Sequence, residues 1–197
     1  MIAFDIAKLC DIFEKVTHDK PDPMSVTLVQ EYGCDPYLIL ISCLLSLRAR
    51  DGVTYKVSKE LFNYVKTPHQ MIDIPLEQLL IILKPLGFYR KKSLIIKEVS
   101  HVLIDRFNGN VPSNEHELLS IRHIGQKTAN LVLSMAFQIP AICVDTHVHR
   151  IANHIGLVKT KNPNDTEKVL KKIAPRTIWM RINYAFVKWG QYVCKPN

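Results

Sequence analysis

Residues 118–137 read LLSIRHIGQKTANLVLSMAF. Leu118 to Ile121 end an apolar helix, Arg122-His123-Ile124-Gly125 turn the chain, and a second apolar helix starts near Gln126. Lys127 therefore falls on the first turn of that second helix. A helix start carries partial positive charge, so a permanent cation there is mildly unfavourable. Stability alone does not account for this lysine. The first N–H groups of a helix lack intrahelical partners, and such a start binds phosphate through its amides. Gly125 is expected to supply backbone freedom at the corner. A glycine-containing corner between two helices, with a solvated lysine, explains the same residues. The hairpin by itself does not decide between these readings.

Charge narrows the choice. The 197 residues carry 26 Lys and Arg against 18 Asp and Glu, a net charge of +8. That balance favours a polyanionic partner, nucleic acid before an anionic membrane surface, although a generally basic soluble protein shows the same excess. Five cysteines (Cys10, Cys34, Cys43, Cys143 and Cys194) are scattered, odd in number and never form C-x-x-C. This argues against a disulfide framework or a local zinc site and for a reducing compartment. The N-terminus MIAFDIAKLCDIFEK interleaves charges with apolar residues, unlike a signal peptide. The longest apolar run, YLILISCLLSL at 37–47, is about half the length that spans a bilayer. The expected setting is the cytoplasm, associated with the nucleoid, with no membrane partner.

Nearly every segment repeats at helical period. Ile2, Ile6, Leu9, Phe13 and Val16 form one stripe, ended by HDKPDP with Pro21 and Pro23. DPYLILISCLLSLRAR is apolar on most faces and reads as a central buried helix. Asp51 is expected to cap the next helix, with Val57, Leu61 and Val65 on its inner side. Pro75 opens a helix carrying Leu76, Leu79, Leu80 and Leu83. KPLGFYRKK reads as a turn, followed by a longer helix marked by Ile95, Val99 and Val102 and closed by NGN. Asn114 with Glu117 resembles a capping box. No alternating run demands a sheet, so the class is all-α, with about ten short helices.

Eighteen residues after Lys127 comes VDTHVHRIANHIG, with Asp145 in the N-cap position before a stripe of Val148, Ile151, Ala152 and Ile155. Aspartate is a common N-cap and needs no catalytic role. If DTHVH were extended, Asp145, His147 and His149 would share a face and offer a metal site. The apolar spacing favours helix, in which residues two apart diverge.

On a basic chain the hairpin resembles the helix-hairpin-helix element that grips a DNA backbone without reading sequence. HIGQKTANLVLSMAF followed by PAICVDTHVHRIANHIGLV strongly resembles the endonuclease III family of DNA glycosylases and abasic-site lyases. The likeness runs from about Asp35 to Cys194 and includes LLSLRARD, LGFYRKKS and FNGNVP. It implies a helix-hairpin-helix glycosylase fold with two helical domains flanking a DNA-binding cleft. One domain would be a contiguous barrel, residues 29–139, with the hairpin at about 115–137. The other would combine residues 1–28 with 140–197. The resemblance further implies that Lys127 is the amine nucleophile and Asp145 the essential carboxylate. It assigns DNA contacts to Arg48, Phe88, Arg90, Lys91, Arg122, His123, Gly125 and Thr128, with Phe88 as an apolar wedge in the gap left by a flipped base. The partner would be duplex DNA containing damaged bases or abasic sites, bound by a monomer.

Three positions depart from the family pattern. His123 stands where glycine is usual and Arg122 where proline is usual; His123 could take a positive φ only at some cost, so the hairpin either differs slightly or turns the histidine towards phosphate. Arg48 replaces a glutamine beside the extrahelical gap. Most members carry four cysteines that hold a [4Fe–4S] cluster, and this chain has only the first of them, Cys194. One thiolate cannot hold such a cluster. The expectation is no cofactor and no metal in these 197 residues, a [4Fe–4S] group being expected only if the chain is truncated after Cys194. A non-catalytic hairpin DNA-binding module and a monofunctional, water-using glycosylase are the rival functions.

Overall fold

A computed structural model describes residues 5–195. Twelve α-helices and one 3-10 turn account for the regular structure among them, and no strand is present. The chain forms two units: Met24–Phe137 is one, and Met1–Pro23 joins Gln138–Asn197 in the other. The reading from sequence drew these limits at 28/29 and 139/140. The first of those cuts through a helix that the reading did not single out, Met24–Tyr32 (α2).

The contiguous unit is built around α3 (Pro36–Ser46). Asp35 caps it by accepting from Leu38 N at 2.9 Å. Tyr37 to Leu45 are all buried, so almost no face of α3 meets water. Each fully buried leucine or isoleucine here contributes about 1.5–3 kcal/mol by leaving water. Packed on α3 are α2, α4 (Asp51–Phe62), α7 (Tyr89–Phe107) and α9 (Gln126–Phe137). Between α4 and α7 lie α5 (Pro68–Asp73) and α6 (Leu76–Leu83), and α8 (Glu115–Ser120) packs on α9.

Several local expectations change in register. Asp51 is the first residue of α4 and not its cap; Arg50 holds the cap position without a side-chain bond. In α6, Leu79, Ile82 and Leu83 are buried while Leu76 is exposed. KPLGFYRKK is only partly a turn, because α7 already begins at Tyr89 and buries Ile96, Val99 and Leu103. Its end matches the expected closure at NGN. Asn108 takes a left-handed backbone and Gly109 N donates to Leu103 O at 2.9 Å, which satisfies a terminal carbonyl.

The second unit contains α1 (Ile6–Val16), α10 (Thr146–His154), α11 (Pro163–Ile173), the 3-10 turn Arg176–Ile178 and α12 (Trp179–Tyr192). Its core joins Ile6, Cys10 and Phe13 to Val148, Ile151, Ile182 and Phe186. The inner stripe of α1 thus runs through Cys10 and Thr17, while Val16 is half exposed; Ile2 lies outside the described residues. Phe13 stacks on Trp189 with centroids 4.2 Å apart. Arg181 of α12 binds Asp11 at 2.7 Å and Glu14 at 2.8 Å on α1.

Gly190 of α12 has a packing reason. A Cβ there would lie 2.6 Å from His147 Nδ1 and 2.9 Å from Ile151 Cδ1 of α10. We expect Gly190→Ala to cost about 1–3 kcal/mol, as overpacking a core does. Thermal unfolding should show a lowered Tm, and an unchanged Tm would refute the close packing.

Candidate nucleic-acid interface

The hairpin begins with a satisfied cap. Asn114 Oδ1 accepts from Glu117 N at 2.9 Å, and Asn114 Nδ2 donates to Glu117 Oε2 at 2.5 Å. After α8 the chain turns through Ile121–Gly125, where Ile124 N donates to Ile121 O at 3.1 Å. Gly125 O then accepts from Ala129 N at 3.0 Å, the first bond of α9. The residue with a left-handed backbone is His123, with φ 73°, and not Gly125. The freedom expected of the glycine is used two positions earlier. Histidine enters this region more readily than most side chains but still at a cost. Gly125 is exposed and faces open space, nothing lying within 4 Å of where its Cβ would be.

Lys127 sits on the first turn of α9, half-buried. Its ammonium is close enough to act on Cys43 of α3, where burial pushes the thiol up to about 12 and the lysine charge opposes that rise. Thr128, expected to touch DNA, is buried at 3% exposure. The expected contact of its side chain with DNA is therefore not supported.

Four other expected contact residues meet in one place. Arg48, Phe88, Lys91 and His123 line a cavity of about 290 Å³, together with Lys92 and the apolar Leu44, Leu47 and Ile95. Arg48, Phe88 and His123 all have left-handed backbones, with φ of 54°, 59° and 73°. Three non-glycine residues in that region around one cavity mark stored strain, which clusters at binding sites. Phe88 is 64% exposed. An aromatic ring so placed adds little to stability, so we expect Phe88→Ala to leave Tm within about 1–2 °C. A larger fall would show that the ring is structural. Arg90 is exposed on α7 beside the Tyr89 ring, 5.8 Å from its centroid, and does not line the cavity.

Glu98 escaped the reading from sequence, and Lys92 departs from it. With Arg90 and Lys91 it was expected to face phosphate, yet it is 6% exposed and donates to Leu45 O at 2.7 Å at the end of α3. Burial holds its ammonium below the usual lysine range. Glu98 binds both Arg122 and His123. Neither partnership has a signal within its own helix.

In the other unit Asp145 is the N-cap of α10. Its Oδ1 accepts from Val148 N at 2.9 Å and its backbone O from His149 N at 3.0 Å. The helix separates Asp145, His147 and His149, so the extended metal site considered for DTHVH does not form. His149 Nδ1 lies 2.7 Å from Thr166 Oγ1, and His147 Nδ1 is buried against α12 without a partner. Among the described residues no group of three or more His, Cys, Asp or Glu side chains is placed to hold a metal. Cys194 Sγ accepts from Arg150 Nη1 at 3.1 Å, and Arg150 Nη2 also donates to Cys194 O at 2.5 Å. Cys10, Cys43 and Cys143 are buried in the two cores and Cys34 is exposed elsewhere. The residues described do not fit a four-thiolate cluster. No helix among them is long and apolar enough to cross a membrane.

A family model described as HhH-GPD superfamily base excision DNA repair protein matches residues 41–176. The endonuclease III of Thermotoga maritima is 45% identical over 163 residues, covering 83% of this chain and 76% of that protein. The endonuclease III of Bacillus subtilis is 35% identical over 164 residues, covering 83% and 75%. Among solved structures, a non-covalent endonuclease III–DNA complex aligns with a TM-score of 0.88 at 34% identity, covering 100% of this chain and 89% of that one. A trapped endonuclease III–DNA covalent intermediate, an estranged-adenine complex, aligns with a TM-score of 0.85 at 33% identity, covering 100% and 90%.

Proposed function

This chain belongs to the endonuclease III family within the HhH-GPD superfamily of base excision DNA repair proteins, and from that premise we propose that it is a bifunctional DNA glycosylase and abasic-site lyase. It removes damaged, oxidised pyrimidines from duplex DNA and then cleaves the strand through a Schiff base on Lys127. The observation that carries the reading is the lysine itself: half-buried, on the first turn of the hairpin's second helix, where a helix start mildly disfavours a cation.

A base inside a duplex is out of reach, so the nucleotide is flipped into a pocket at a cost of a few kcal/mol. Lesions that stack or pair poorly cost less. The neutral Lys127 amine attacks C1′ of the sugar and the C1′–N bond breaks, the base leaving with a proton. Opening of the sugar ring gives the iminium, an electron sink that lets a C2′ proton and then the 3′ phosphate depart. Water in place of the amine would release the base but form no covalent intermediate.

Lysine has to lose a proton first. With a reference pKa near 10.4, roughly 0.1% is neutral near pH 7.4. The start of α9 favours the neutral form by about 0.3–1 kcal/mol, less than one pKa unit. A carboxylate would work against it by stabilising the ammonium. Desolvation under bound DNA is larger, up to about 3–5 units for a fully buried group. Asp145 therefore acts as proton acceptor and as stabiliser of cationic charge on the sugar, and not by tuning the amine. Arg48, Lys91 and His123 hold phosphate, and Phe88 fills the gap left by the flipped base. No step uses a metal or cluster.

Duplexes bearing an oxidised pyrimidine, uracil or an abasic site test the reading. Base release followed by a nick is expected with the oxidised pyrimidine, and a nick with the abasic site. Base release with an intact strand would identify a monofunctional glycosylase instead. Binding without either product would leave the non-catalytic module.

A further inference from the structure

Arg122 and His123 are consecutive residues at the hairpin tip, yet both reach one carboxylate in the middle of α7. Arg122 Nη1 lies 3.3 Å from Glu98 Oε1 and His123 Nε2 lies 3.0 Å from Glu98 Oε2. The side chain of Arg122 is 77% exposed, that of Glu98 42% and that of His123 21%. A pair as wet as Arg122–Glu98 adds little to stability. His123 moreover spends backbone energy on its left-handed conformation. A carboxylate holding both the Arg122 guanidinium and the His123 imidazole of a helix-hairpin-helix turn is a poor stability device, and it is the wrong charge to leave beside a surface meant for phosphate.

The chemistry gives it a different effect. A cation that neutralises a phosphate releases a counterion, and that release supplies most of the affinity for undamaged DNA. A cation already held by a carboxylate must give up that partner before it can displace a counterion from the DNA. The carboxyl of Glu98 is kept below the usual range by the His123 hydrogen bond, with Arg122 adding to the effect, so it stays ionised and occupied. Three basic side chains lie nearby: Arg48, Lys91 and Lys92 line the cavity that includes His123.

We propose that Glu98 determines how tightly this protein holds undamaged duplex, by competing with backbone phosphate for Arg122 and His123. It keeps sequence-independent grip weak, so that occupancy depends on contacts available only at a flipped nucleotide. The inference rests on DNA binding through the hairpin as proposed above, and it adds a residue that sets discrimination between damaged and undamaged DNA.

Glu98→Gln removes the charge and keeps an acceptor oxygen for His123; Glu98→Ala removes both. Fluorescence anisotropy on an undamaged duplex and on one bearing an abasic-site analogue, over a salt series, reads the effect. Glu98→Gln should tighten binding to undamaged duplex about 2- to 10-fold near 0.1 M salt, the equivalent of releasing one or two exposed ion pairs. The slope of log K against log salt should steepen by about 0.9, the one extra phosphate that the Arg122 guanidinium neutralises. The preference for the abasic analogue should shrink accordingly, and the gain should diminish when Arg122 is also replaced by Ala. If both Glu98 variants, folded with the wild-type Tm, bind undamaged duplex as weakly as wild type or more weakly, the competition does not exist. If wild-type protein binds no duplex at all, it is the proposed function that fails.

Discussion

Lys127→Ala is expected to abolish the borohydride-trapped protein–DNA adduct on an abasic duplex and to slow strand cleavage at least about a thousand-fold. Removing a covalent nucleophile costs that much or more, because no neighbouring group can replace the bond it forms. The experiment is direct: sodium borohydride reduces the iminium to a stable amine, and a denaturing gel counts cross-linked protein. Binding should change far less, since Lys127 is one charge among several at the hairpin. Alanine suits the half-buried first turn of α9, where a cation at a helix start is mildly unfavourable. A full-strength adduct in the alanine variant would mean that another amine, or the N-terminus, is the nucleophile. No adduct in wild type would remove the lyase step from this protein.

Asp145→Asn is the second large effect, and its value lies in separating two roles. Asparagine caps a helix about as well as aspartate, and its amide oxygen can take over the bond from Val148 N, which Asp145 Oδ1 accepts at 2.9 Å. Tm should therefore stay within about 1–2 °C of wild type. Base release should nevertheless fall about 10²–10⁴-fold, the range for losing a positioned acid or base. Asp145→Ala should lose the same activity and also about 0.5–2 kcal/mol of stability. If Asp145→Asn releases base at the wild-type rate, Asp145 is only a cap, and the cationic sugar is stabilised elsewhere.

The two experiments distinguish the rival readings that the chain itself leaves open. A module that binds DNA through its hairpin without chemistry would be indifferent to both substitutions. A water-using glycosylase would respond to Asp145 and give no adduct. A lyase responds to each in a different observable.

Much of this site was legible before any coordinates. The link Arg122–Gly125 between two apolar runs marked the hairpin, and Asn114 with Glu117 marked its start, because caps and turns are set by neighbours a few residues apart. Asp145 ahead of Val148, Ile151 and Ala152 was an N-cap for the same reason, and the unbroken apolar run of α3 could only be buried. Registers were less secure. A 3.6-residue period allows two adjacent stripes, and in α1 the core took Cys10 and Thr17 where Val16 was expected, as Phe13 met Trp189 and Phe186. The backbone at the hairpin corner was read only in part: Gly125 was expected to supply the freedom, whereas the left-handed residue is His123, for which that conformation was expected to be costly. Burial of Thr128 and Lys92 depended on neighbours from α3, which no local pattern names.

By itself the sequence determined what acts over one or two helical turns: an all-helical chain, a basic surface, a lysine at a helix start and an aspartate at another. Only the tertiary structure decided which distant residues share those positions. Glu98 meets Arg122 and His123 across 24 and 25 residues of chain, and Arg150 meets Cys194 across 44. Helical periodicity tells each residue which way it faces and is silent about what it faces. That is settled when apolar faces pack, and the charges at their rims take whatever partners the packing brings within reach.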